Sequence, residues 1–210
     1  MSKYFKNILP QLPIARLIER YYPFTSEELI FLYQKKVSLA YISFNQEINW
    51  TPELIEKLEK KGQVYITSEK KLDKKYKKYQ LKTPPQHIHH LLFYSELFIG
   101  DSQSMAFECA MLGTPSIRFS DFAGKISVLE ELEHKYGLTY GIKPSEPEKL
   151  FEKIEELLSM TNLKEEFQKR RQRMLADKID VTAFMVWFIE NYPESVKIMQ
   201  DNPNYQYNFK

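Results

Sequence analysis

Two hydroxyls and one carboxylate stand close together in the chain, at Ser102, Ser104 and Glu108. Hydroxyls beside unpaired backbone N–H groups, at the positive end of a helix, make a cradle for a phosphate. The same residues also serve as ordinary helix caps, and the spacing leaves both readings open. A second group is His87, His89 and His90. Metal ligands must share one helix face, and only His87 and His90 have the i,i+3 spacing. No Asp, Glu or Cys stands near them in sequence to complete a shell, so no metal is expected. This segment is expected to form a loop against a ligand or to cap its helix. Cys109, the single cysteine, lies in an apolar run with no activating partner and reads as a buried structural thiol. Asp101 next to Ser102 suggests a triad, but no G-x-S-x-G elbow is present, so acyl transfer is not expected.

The segment that must position these groups is Leu97–Pro115. Leu97-Phe98-Ile99 is a short apolar strand closed by Gly100, and apolarity on both faces suits a buried parallel strand. Asp101 or Ser102 can cap the helix that follows. Gly113 fits its C-terminal cap and Pro115 cannot continue it. Ser116-Ile117-Arg118-Phe119 is the next strand. The helix start therefore lies at the carboxyl end of a strand, where open α/β sheets bind ligands.

The rest of the chain alternates in the same way. Strands are expected at Val37–Phe44, Val64–Thr67 and Leu138–Ile142, with a shorter one at Gln80–Lys82. Helices are expected after Thr51-Pro52-Glu53, from Ser68 to about Lys78, at 88–95, 126–136, 147–158 and 163–174, and at Val181–Ile189 behind an Asp180 cap. The fold class is α/β, a parallel Rossmann-like sheet with helices on both faces. Residues 1–36, broken by Pro10, Pro13 and Pro23, read as an N-terminal helical arm. Residues 37–192 form the domain, and 193–210 are a polar and aromatic C-terminal tail at the surface.

The chain has 210 residues and a net charge of +2. That length buries one sizeable core, and that charge implies no nucleic acid. Ten lysines between Lys57 and Lys82 face Glu56, Glu59, Glu69 and Asp73. Without arginines or a base-stacking organisation this run reads as a solvated helix face. No apolar run is long enough for a membrane span, and Met1-Ser2-Lys3-Tyr4 leads into no signal-peptide core. One cysteine excludes an intrachain disulfide. A soluble, cytoplasmic protein is expected.

Asp101-Ser102-Gln103-Ser104, followed by Glu108-Cys109-Ala110 and Leu112-Gly113-Thr114-Pro115, resembles the nucleotide-sugar motif of GT-B-fold proteins. In UDP-N-acetylglucosamine 2-epimerases the matching segment is an Asp-Ser-Gly-Gly turn, a Glu-Ala pair and a Leu-Gly-x-Pro end, and related glycosyltransferases carry similar forms. The stretch 84–144 is also similar to an uncharacterised GT-B-like family catalogued as a domain of unknown function. That likeness rests on Ile88-His89-His90-Leu91-Leu92, Ile117-Arg118 and Leu132-Glu133-His134-Lys135-Tyr136-Gly137-Leu138.

The resemblance implies one GT-B half that binds UDP or another nucleotide sugar as substrate, with no cofactor. Ser102 and Ser104 would hold the diphosphate, with Gln103 in the same turn. Glu108 would accept from the ribose hydroxyls, since a carboxylate accepts twice at a fixed spacing. The segment with His87 and His90 would border the base. Gln103 and Ser104 replace the two glycines of the epimerase turn, and their side chains restrict how closely backbone approaches a phosphate.

A GT-B protein has two Rossmann-like domains, and this length holds one. The resemblance therefore implies a missing N-terminal domain or partner subunit, little turnover by this chain alone, and a role in surface polysaccharide or glycoconjugate synthesis. The alternative is a non-catalytic interaction domain of GT-B descent, with a homodimer as one form. The apolar 181–189 helix and aromatic tail support that alternative. A phosphoacceptor domain of flavodoxin-like order is a weaker reading, since only Asp101 is well placed for it.

Overall fold

The computed structural model describes residues 39–43, 52–67, 72, 74–81 and 87–210, the first of these as backbone only. The expected arm at 1–36, residues 37, 38 and 44 of the first expected strand, Thr51 and the helix start at Ser68 lie outside the described residues.

Five strands form one parallel sheet: β1 (Leu39–Ser43), β2 (Gln63–Thr67), β3 (Leu97–Gly100), β4 (Ser116–Phe119) and β5 (Thr139–Ile142), in the order β2-β1-β3-β4-β5. Gln80 adds a parallel bridge to Ile66 on β2, and Leu81 N donates to Ile66 O at 3.0 Å. Of the short strand expected at Gln80–Lys82, the described residues Gln80 and Leu81 contribute this bridge, and Lys82 lies outside the described residues. Counted as a strand of one residue, Gln80 gives the doubly wound Rossmann order 3-2-1-4-5-6. With or without it, the winding reverses between β1 and β3. The crevice beyond their carboxyl ends is thus the topological switch point, where such sheets hold ligands.

β3 is buried along its whole length. Leu97 and Ile99 share a core cluster with Leu54, Ile55 and Leu58 of α1 (Pro52–Glu59). Phe98 packs the other way, with Leu91 and Leu92 of α2 (Ile88–Tyr94) and Ala106, Cys109 and Leu112 of α3 (Gln103–Leu112). Alternation along a strand sends successive side chains to opposite faces, so both faces are covered. Removing each such aliphatic side chain from water contributes about 1.5–3 kcal/mol.

α4 (Ser127–His134) links β4 to β5, and α5 (Pro147–Ser159) and α6 (Leu163–Asp177) follow. α6 braces the far end of α3: Gln168 Nε2 donates to Leu112 O at 2.8 Å, and the Arg171 guanidinium donates to Met111 O. Donors on these last carbonyls satisfy groups the helix leaves free, and the Arg171 charge complements its dipole. Gly113 closes α3 in the left-handed region at φ 71, with Thr114 N donating to Cys109 O at 2.9 Å.

The lysine-rich segment departs from the expected helix. Its described part is a 3-10 turn, Lys74–Tyr79, anchored by the one buried residue Tyr79. Like charges three and four apart disfavour a regular α-helix there. α7 (Val181–Glu190) is capped by Asp180, whose side chain accepts from Ala183 N at 2.9 Å. Residues of the expected tail form α8 (Glu194–Asp201) and a 3-10 turn, Pro203–Phe209. Trp187 stacks on Tyr205 with centroids 4.8 Å apart, and Phe184 meets Phe209 edge-on at 5.6 Å. No described helix is long and apolar enough to cross a membrane.

Candidate functional site

The turn after β3 sets the site. Gly100 ends the strand, and Ser102, extended at φ −74 and ψ 115, is the residue that caps α3. Met105 N donates to Ser102 Oγ at 3.4 Å, and the Ser102 and Ser104 hydroxyls lie 3.2 Å apart. Gln103 turns back, its Nε2 donating to Asp101 O at 2.9 Å. Its Oε1 is buried and has no hydrogen-bond partner among the described residues. The first turn of α3 carries no acidic residue. Ser104 is exposed and Ser102 half-buried. Two hydroxyls and the helix start are therefore presented together at the carboxyl edge of β3.

Glu108 follows Ser104 by four residues and lies one turn along the same face. Phe107, three residues after Ser104, shares that face and remains 37% exposed. That exposure has no sign in the sequence, where an apolar residue in an apolar helix reads as core. Glu108 meets a partner from another helix: its Oε2 lies 3.4 Å from His89 Nε2, with both side chains about one-third exposed. The i,i+3 spacing singles out His87 and His90, but His89 is the histidine brought to the carboxylate. His87 stands at the start of α2 with no side-chain cap bond. His90 is buried; desolvation, aided by the charges of His87 and His89, pulls its pKa down to about 4. It is a neutral imidazole at neutral pH. Cys109 is fully enclosed, and burial pushes its thiol well above the usual range, so it is a poor nucleophile.

A second polar group organises the next strand end. Arg118, beside Gly100 in the register and wholly buried, places Nη2 2.5 Å from Glu133 and 3.3 Å from Glu130. Glu133 also accepts from Gly141 N at 2.8 Å, and Glu130 from Gly124 N at 3.1 Å. This network ties β4, β5 and the loop between β4 and α4 together. Desolvation is outweighed by the hydrogen bonds from Arg118 and His134, which hold the Glu130 carboxyl below its usual range. Arg118 and Glu133 figured in the sequence only as points of likeness; their ion pair is a tertiary contact.

A cleft of about 280 Å³ lies elsewhere, lined by residues that include Ser95, Pro115, Asn162 and Lys164. Ser95 and Pro115 precede β3 and β4, so this cleft is at the amino ends of the strands, opposite Ser102. Among the described residues, no group of three His, Cys, Asp or Glu side chains converges as a metal shell would.

Sheet order, winding and the capped β3–α3 turn define an α/β Rossmann-like domain with a polar turn at its switch point. No family model matches the chain, and no curated protein matches it. Solved structures give partial likenesses. The glycotransferase of kitacinnamycin is similar over 66% of this chain and 39% of its own, at 14% identity and TM-score 0.44. CalG4, the calicheamicin glycosyltransferase, is similar over 76% of this chain and 44% of its own, at 16% identity and TM-score 0.48. UDP-GlcNAc 2-epimerase from Neisseria meningitidis, bound to UDP-GlcNAc, is similar over 80% of this chain and 49% of its own, at 14% identity and TM-score 0.40. The chain spans less than half the length of each.

Proposed function

We propose that this chain is the nucleotide-sugar-binding half of a GT-B-like glycosyltransferase or sugar-nucleotide epimerase, and that its chemistry requires a second domain or subunit. The observation that carries the reading is the placement of Ser102 and Ser104 at the start of α3, beside the switch point, with Glu108 one turn further on the same face. The helix start and two hydroxyls suit a diphosphate. A carboxylate one turn away suits a vicinal diol. Gln103 belongs to the same turn, and His87 and His90 to the helix proposed to border the base. The ligand is UDP or another nucleotide sugar, and the pathway is surface polysaccharide or glycoconjugate synthesis. In that role the helix start stabilises charge on the diphosphate as it leaves.

The test is stabilisation of the protein by UDP and UDP-sugars in a thermal shift assay. The proposal expects a rise in Tm with UDP that is lost in Ser102→Ala and Glu108→Ala. Each variant is compared with itself without ligand, because Ser102→Ala also removes a cap worth about 0.5–2 kcal/mol. No rise with any nucleotide contradicts the reading.

One observation favours the non-catalytic alternative. Val181, Met185, Val186 and Ile189 of α7 are between 48% and 67% exposed. An apolar face of this kind marks interaction surfaces. A stable dimer in light scattering, with no nucleotide response, is the outcome that favours it.

A further inference from the structure

Positive charge is not evenly spread along this chain. Residues 56–82 carry ten lysines and no arginine, against Glu56, Glu59, Glu69 and Asp73, while the whole chain has a net charge of only +2. The rest of the chain is therefore net negative. The 3-10 turn in this stretch reads Lys74-Lys75-Tyr76-Lys77-Lys78-Tyr79. In a 3-10 helix, residues three apart eclipse each other, so this repeat is sorted by side. Tyr76 and Tyr79 share one side: Tyr79 is buried in the core, and Tyr76 packs half-buried against it. Lys74 with Lys77, and Lys75 with Lys78, form two outward rows, and all four are exposed.

The turn lies along the outer edge of the sheet, because Gln80 at its end bridges to Ile66 of the edge strand β2. Glu59 joins it to the end of α1, with Oε1 3.1 Å from Lys78 Nζ. Lys60 and Lys61, just after α1, are exposed beside it. Lys61 and Lys78 hold Glu155 and Glu59. Among the described residues, no carboxylate pairs with Lys60, Lys74, Lys75 or Lys77.

We propose that this lysine edge docks on the surface of an anionic lipid bilayer. A bilayer offers many phosphates at no fixed positions. Lysine suits it, as a compact hydrated charge on a flexible stem without a planar fork that demands paired acceptors. Clusters of about four to eight basic residues bind such surfaces through the field within a screening length. A protein partner fits less well, since lysine is depleted from protein interfaces and the two tyrosines that could anchor one are turned to the core. Nucleic acid fits less well because the edge presents neither an arginine fork nor a ring for base stacking. The contact is electrostatic, and no segment enters the hydrocarbon. β1 separates β2 from β3, so this edge is distinct from the Ser102 turn and the inference does not depend on the nucleotide reading.

The experiment is cosedimentation of the full chain with vesicles of phosphatidylcholine, alone or with about 30% phosphatidylglycerol. It is run at about 0.1 M and about 1 M salt, where the screening length falls from about 10 to about 3 Å. The parent chain is expected to bind only the anionic vesicles, and to release them at the higher salt. Lys60→Gln/Lys74→Gln/Lys75→Gln/Lys77→Gln is expected to bind them at least tenfold more weakly. Lys74→Gln/Lys77→Gln, which empties one row, is expected to show an intermediate loss. Lys143→Gln/Lys149→Gln/Lys169→Gln/Lys197→Gln removes the same charge from exposed positions elsewhere, and is expected to stay within about twofold of the parent. Circular dichroism checks that each variant is folded. No binding to anionic vesicles, equal binding to neutral ones, or equal loss in the two quadruple variants overturns the proposal. Tighter binding to duplex DNA or to polyglutamate than to anionic vesicles at the same salt also overturns it.

Discussion

Glu108 of α3 and His89 of α2 face each other across 3.4 Å. Neither helix positions its residue for the other by local sequence. The pair exists because α2 and α3 pack on the Phe98 face of the sheet, through Leu91, Leu92, Ala106 and Cys109. The imidazole therefore orients the carboxylate proposed to receive the ribose. His89→Ala is expected to weaken UDP binding by at most about fivefold, as loss of a partly exposed imidazole–carboxylate contact does. Isothermal titration of the variant checks this, and unchanged affinity removes His89 from the site.

His90, next in sequence, is expected to act on stability. Its pKa falls from 6.5 to about 4 on folding. Between those values the unfolded chain binds the proton and the folded chain does not, so stability rises with pH across this window. The contribution is complete above pH 6.5 and lost as pH falls toward 4, amounting to at most about 3 kcal/mol. Urea unfolding at pH 4.5 to 7 should show a shallower rise in His90→Asn than in the parent chain. Parallel curves contradict the assignment.

Arg118 and Glu133 predict a large stability effect. Arg118→Leu leaves two carboxylates, Glu130 and Glu133, without their shared cation, a loss expected to cost about 3–5 kcal/mol. Gly141→Ala disturbs the same network, because a β-carbon there would come within 2.8 Å of Arg118 Nη2 and 3.2 Å of Glu133 Oε2. In urea unfolding, the double variant is expected to lose less than the sum of the two single losses. Additive losses argue against one shared network.

Gly113 separates backbone strain from crowding. Its φ of 71 is left-handed, and a β-carbon would collide with the Gln168 amide. Gly113→Ala is expected to destabilise by about 1–2 kcal/mol from the backbone alone, more where Gln168 stays in place. Adding Gln168→Ala should recover the steric part but not the backbone part, as read from urea midpoints.

Local chemistry made part of this molecule legible. The β3–α3–β4 unit could be read because an apolar run, a capping serine, Gly113 and Pro115 fall at the spacing one strand–helix–strand unit requires. Asp180 and Pro52 announced their helices in the same way. Contacts between distant elements could not be read. His89 carries no local sign that it reaches Glu108, and the Arg118–Glu133 pair joins a strand to a helix. α8 was missed because its support is tertiary: Ser195 is buried and donates to Phe188 O at 2.6 Å. The turn that follows it is held by Trp187 stacking on Tyr205. In the described part of the lysine-rich segment, Lys74–Tyr79, the composition suggests a regular helix but the repulsion between like charges favours a 3-10 turn.

Titration calorimetry of UDP into the purified chain, with Ser102→Ala/Glu108→Ala alongside, tests the central claim most directly. The account predicts saturable binding by the parent protein, at about one site per chain, and a loss of at least tenfold in the double variant whose fold is unchanged by circular dichroism. No binding of UDP to the parent protein, or equal binding by the double variant, contradicts a nucleotide-sugar site at the start of α3.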